Sequence, residues 1–206
     1  MEIENHKEQV PFAHYCAQWQ EMDPQEASRR SRVPFDAETG MFQLTMLGVP
    51  YCLHWPDFSI ATESGEGFAL KNIPAQILLM RYIMSAQPSP FGGKFLTFRE
   101  MPWGDVYIKP FTGRCLTRAA FTFGTRIQAF RAAMERMGAR ALSHGDAAYE
   151  VEFLPGLLMQ IIVWEGDDEF PPNSQILFSD NFSATFAAED RVVCADVLIG
   201  DCKCHM

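Results

Sequence analysis

At 206 residues, with 48% hydrophobic and 21% charged side chains, the chain suits one folded domain that buries on the order of 70% of its unfolded surface. Twenty-six acidic against seventeen basic residues give a formal charge of −9, which repels phosphate backbones and argues against nucleic acid as a partner. No apolar stretch approaches the ~20 residues of a bilayer crossing, so no membrane partner is expected. The polar start "MEIENHKEQV" is no secretory signal, so a cytoplasmic, reducing compartment is expected. There Cys16, Cys52, Cys115, Cys194, Cys202 and Cys204 are free thiols or ligands rather than disulfides.

In chain order, residues 11–33 read as helix, with a second segment capped by Asp23 and opened by Pro24. "MFQLTMLGVPYCLHW" alternates at period two and predicts a strand pair about a turn at Gly48, Val49 and Pro50. Asn72 precedes "IPAQILLMRYIMSA", a helix over 73–86 apolar enough to lie in the core. "GKFLTFREMPWGDVYIKPFTGR" reads as two aromatic-rich strands joined by a turn from Pro102 to Asp105. Thr125 and Gln128 form a capping box for a helix over 125–137 that Gly138 ends. "AYEVEF" alternates, "LLMQIIVW" predicts a central strand covered on both faces, and "AAEDRVVCADVLIG" a short closing helix. The expected fold is α+β: a single domain, a mostly antiparallel sheet packed with the 73–86 and 125–137 helices, and flexible ends at 1–9 and 200–206.

Four carboxylates, Glu165, Asp167, Asp168 and Glu169, follow Trp164 and are closed by Pro171 and Pro172. Crowded oxygens suit a divalent cation, and their mutual repulsion in its absence raises pKa values toward those of a general acid. The plain alternative is a solvated turn. Cys202, Cys204 and His205 are soft donors for a metal, without a recognised spacing. Cys52 and His54 share a strand face, but no residue near them orients the imidazole. Phe95, Phe98, Arg99, Trp103, Tyr107, Lys109, Phe111 and Arg114, if on paired strands, offer stacking surfaces and guanidinium groups for a planar acidic ligand. The plain alternative there is hydrophobic core with Arg stems laid along it. P-loop, dinucleotide, G-x-S-x-G and H-E-x-x-H motifs are absent.

The stretches "KFLTFREMPWGDVYIKPFTGR" and "VWEGDDEFPPNSQILF" resemble a domain-of-unknown-function family of anaerobic bacteria and archaea, from about Val10 to Ile199. The resemblance is carried most by Trp164, Gly166, Asp167, Glu169, Phe170, Pro171 and Pro172. Phe98 to Glu100, Gly113-Arg114 and Gly145-Asp146 also match. Some members of that family are fused to a four-cysteine iron–sulfur domain of the corrinoid/iron–sulfur protein type, which this sequence lacks. The resemblance implies a setting in anaerobic cofactor metabolism and no assigned reaction.

The leading expectation is a non-catalytic binding or accessory protein. It would hold a small planar or acidic ligand, a corrinoid, haem or another tetrapyrrole, at Arg99, Trp103, Arg114, Trp164, Glu165, Asp167, Asp168 and Glu169. One rival is a metal-dependent hydrolase using Asp167, Asp168 and Glu169. The other is a docking domain that offers its acidic loop to a basic partner protein.

Overall fold

The computed structural model describes residues 6–63 and 67–206. The fold is α+β with antiparallel sheets, and the strands divide between two of them. Each sheet lies in its own compact unit, one ending at Pro88 and one running from Ser89 to Met206. The first five residues of the expected flexible start lie outside the described residues, and helix begins at His6.

In the first unit, α1 (His6–Glu21) is followed by α2 (Pro24–Ser31). Asp23 Oδ1 accepts from the amides of Gln25 at 2.9 Å and Glu26 at 3.3 Å, which satisfies donors that the helix start leaves free. The strands β1 (Phe35–Asp36), β2 (Met41–Met46), β3 (Val49–His54) and β4 (Ser59–Ala61) form a meander. Met46 pairs with Val49, so the turn is the two residues Leu47 and Gly48, both at positive φ. Such a tight turn matches strand twist, and it leaves Val49 and Pro50 in the strand instead of the turn. Helix α3 (Ile73–Ser85) starts where Asn72 Oδ1 accepts from the Ala75 amide at 2.8 Å, and it packs on α1 and α2. Trp19 is fully buried; its Nε1 donates to the His54 carbonyl, and Trp55 Nε1 donates to the Trp19 carbonyl. These two bonds pin α1 to the end of β3.

The second unit begins with β5 (Phe95–Thr97), a single 3₁₀ turn (Phe98–Glu100) and α4 (Gly104–Phe111). One π-helical turn (Thr112–Thr117) leads into α5 (Arg118–Phe123), and α6 (Ile127–Arg136) follows. Then come β6 (Arg140–Leu142), β7 (Ala147–Leu154), β8 (Leu157–Trp164), β9 (Asn173–Ser179), α7 (Phe182–Thr185) and α8 (Ala188–Cys204). The sheet order is β5-β9-β8-β7-β6, antiparallel throughout, which puts "LLMQIIVW" at its centre. Leu157, Met159, Ile161 and Val163 are fully buried on one face of β8. The other face is more open: Leu158 and Gln160 are half-buried, and Gln160 donates to Glu150.

The second aromatic strand expected over 93–114 is a helix. Thr97 and Glu100 close a capping box, with the Thr97 amide donating to Glu100 Oε2 at 2.7 Å. Gly104 then fits under the turn so closely that a Cβ there would lie 2.1 Å from the Phe98 carbonyl oxygen. Helical geometry turns Phe111 inward to stack on Phe98, ring centroids 4.2 Å apart, with Phe178 of β9 against both. Burial of these rings outweighs the strand preference of Val106, Tyr107 and Ile108. The box expected at Thr125 and Gln128 also differs. Thr125 Oγ1 donates back to the Phe121 carbonyl, and α6 starts at Ile127 behind Arg126 with no side-chain cap.

Helix α8 is longer than expected and includes residues 200–204. Twelve of its residues are buried, charged Asp190, Arg191 and Asp201 among them, and they spread around most of its circumference. Its one fully buried cation, Arg191, donates to the carbonyls of Phe186 and Pro102 and lies over the Phe98 ring. Loss of water around this guanidinium pulls its pKa down.

A rigid acidic turn at the end of the central strand

Trp164 and Asn173 are the last pair between β8 and β9, so residues 165–172 are the loop that joins them. The loop is closed from within. Asp167 Oδ1 accepts from the amides of Glu169 at 2.8 Å and Phe170 at 2.7 Å, and the Asp167 amide donates to the Phe170 carbonyl. These are the local bonds that favour Asp in turns. The amides of Phe170 and Glu169 hold the Asp167 pKa below the usual carboxylate range, opposite to the rise expected from repulsion. Gly166 lies so near Pro172 that a Cβ would stand 2.6 Å from its Cδ.

The turn is also held from outside. The Glu165 amide donates to Asp146 Oδ2 at 2.8 Å, the Asp146 amide donates to the Val163 carbonyl, and Arg131 of α6 holds the Asp146 carbonyl. Gly145 passes beside the Trp164 ring with no room for a side chain. Gly145 and Asp146 belong to the site although they are about twenty positions away. Their Gly-Asp pairing resembled the family pattern, but spacing alone gave them no role.

Four exposed carboxylates therefore do two jobs. Asp167 is committed to the turn, whereas Glu165, Asp168 and Glu169 project around it. Trp164, Glu165, Phe170, Pro171, Pro172 and Asn173 line a shallow recess of about 460 Å³. Phe170 is 67% exposed and Trp164 37%.

The other expected site residues do not join this recess as one face. Arg99 sits in the 3₁₀ turn and pairs with Asp105 at 3.0 Å. Trp103, 74% exposed, occupies a left-handed position before α4 (φ 64°). Arg114 lies in the π-helical turn, and it and Arg118 of α5 both bind Asp196 of α8. The single face carrying Arg99, Trp103 and Arg114 depended on a strand pair that does not exist.

The cysteine tail is rearranged too. Cys202 faces the core, and burial pushes its thiol up to about 12, so it has no thiolate at neutral pH. Cys204, two residues on, is exposed and on a different side of the helix. Cys202, Cys204 and His205 thus do not converge, and no group of three His, Cys, Asp or Glu side chains does so among the described residues. Burial likewise raises the thiols of Cys115, to about 12, and Cys194. All six cysteines are free.

Fold and turn together define an α+β protein whose central strand ends in a braced acidic and aromatic loop. The chain belongs to the family described as domain of unknown function DUF3786, whose model matches residues 23–201. No curated protein and no solved structure matches the chain. No described helix is long and apolar enough to cross a membrane.

Proposed function

We propose that this chain is a non-catalytic binding module and that the 164–173 turn is its recognition surface. One observation carries the reading: a loop braced on both sides holds Phe170 and Trp164 in water and also exposes the carboxylates of Glu165, Asp168 and Glu169, of which Glu165 lines the same recess. Exposed aromatics on a rigid frame bind with little ordering cost, and such residues dominate the energy of interfaces. The surrounding charge selects the partner. A basic, partly apolar peptide segment of another protein complements the loop. Arg99 and Arg114, the guanidinium groups that an acidic ligand would use, are engaged with Asp105 and Asp196.

A corrinoid, haem or other tetrapyrrole lying on Trp164 and Phe170 is the small-molecule form of the same proposal. Its support is the family resemblance and the setting in anaerobic cofactor metabolism that comes with it. The hydrolase reading is the weaker one, since Asp167 is spent on backbone amides. The test is a selection from a peptide library, run against the wild type and against an E165Q/D168N/E169Q variant. Aquocobalamin and haemin are titrated in parallel by visible absorbance. The expected result is enrichment of Lys- and Arg-rich peptides with an aromatic or aliphatic residue by the wild type alone. Equal enrichment by both proteins would overturn the acidic surface, and a spectral change lost in F170A would make the ligand a tetrapyrrole.

A further inference from the structure

We propose that the last turn of α8 is a half-site for a divalent transition metal, with Asp201 Oδ2 and His205 Nε2 as its protein donors and water in the remaining positions. Asp201 and His205 are four residues apart and so lie on one helix face. Oδ2 of Asp201 and Nε2 of His205 are 3.9 Å apart, too far for a hydrogen bond. Oδ2 is also buried without any hydrogen-bond partner, in a residue only 4% exposed. An uncompensated carboxylate oxygen in that position is costly to the fold, and a cation bound beside it removes the cost.

The gap has the right size. Bonds of about 2.0–2.2 Å to each donor bridge it once the imidazole swings inward by under about one ångström. His205 can make that movement while its backbone stays fixed. Its amide caps the helix on the carbonyls of Asp201 and Cys202, and its carbonyl accepts from Arg136 Nε at 3.0 Å. The His205 side chain is 37% exposed and that of Asp201 only 6%, so metal and water would enter from the imidazole side. One imidazole and one carboxylate suit Zn²⁺, Co²⁺, Ni²⁺ or Cu²⁺; Ca²⁺ and Mg²⁺ demand oxygen-only sets. Asp201 replaces Cys202 as the donor that pairs with His205, because Cys202 points into the core.

The experiment uses the full chain with Cys204→Ser throughout, so that the exposed thiol cannot bind metal by itself. Co²⁺ and Zn²⁺ are titrated at pH 8. The readouts are Co²⁺ d–d absorbance and the His205 side-chain NMR signals. The expected result is saturable binding that shifts the His205 signals and is lost in both the C204S/D201N and C204S/H205A proteins. D201N keeps the shape of the side chain and H205A removes a half-exposed one, so at least one variant stays folded by circular dichroism. Absence of saturable binding in the C204S protein, or binding unchanged by either second substitution, would overturn the proposal.

Discussion

Asp201→Asn should stabilise the protein at neutral pH and leave it unchanged in acid. Burial raises the Asp201 pKa from 3.8 to about 6, and the neighbouring His205 only partly opposes the rise. The folded state therefore holds its proton more tightly than the unfolded chain, and stability falls as pH climbs from about 4 to about 6. Each pH unit between the two values is worth about 1.4 kcal/mol, so the ionised carboxylate costs the fold about 3 kcal/mol above that window. Asparagine mimics the protonated side chain and escapes the cost. Urea unfolding of both proteins in chelator-containing buffers from pH 4 to 8 measures this. The curves should meet near pH 4 and separate to about 3 kcal/mol by pH 7, with the variant above. Parallel curves, or a wild type more stable than D201N at pH 7, would refute the idea that Asp201 is a buried, poorly compensated acid.

Three further substitutions probe the frame. Asp167→Ala removes the acceptor of the Glu169 and Phe170 amides, so their hydrogen exchange should accelerate while core amides stay protected. Because the Asp167 pKa is lowered, that protection should be full above the ordinary carboxylate range and disappear as pH falls through the lowered value. Gly104→Ala forces a Cβ into the Phe98 carbonyl and should cost about 1–3 kcal/mol or more, read by urea unfolding. Phe111→Ala opens a cavity beside Phe98 and Phe178 and should cost about 3–5 kcal/mol in the same measurement.

Elements with strong local chemistry were legible in the sequence. Asp23-Pro24 and Asn72 with Pro74 mark helix starts through donors that any helix must satisfy, and "LLMQIIVW" marks the sheet centre by continuous apolarity. Residues 104–111 were not legible. Their β-branched and aromatic side chains read as strand, and the helix is chosen by contacts that spacing does not reveal, Gly104 against Phe98 and Phe111 on Phe98. That one error dispersed the expected face of Arg99, Trp103 and Arg114. The acidic loop itself was visible as four carboxylates between Trp164 and the Pro171-Pro172 pair. The division of labour within it was not, because Asp167 and Asp168 are identical in composition and only hydrogen bonds tell them apart. Asp146 and Asp201 were missed for a similar reason, since their importance comes from a tertiary partner in one case and from the lack of one in the other.

The 164–173 turn is proposed to recognise a basic partner segment. The most direct test is chemical-shift mapping of ¹⁵N-labelled protein titrated with the best peptide from the library selection. Perturbations should concentrate at Trp164 to Asn173 and at Asp146, with affinity that weakens steeply as salt is added. Perturbations that leave this turn untouched, or affinity indifferent to salt, would contradict it.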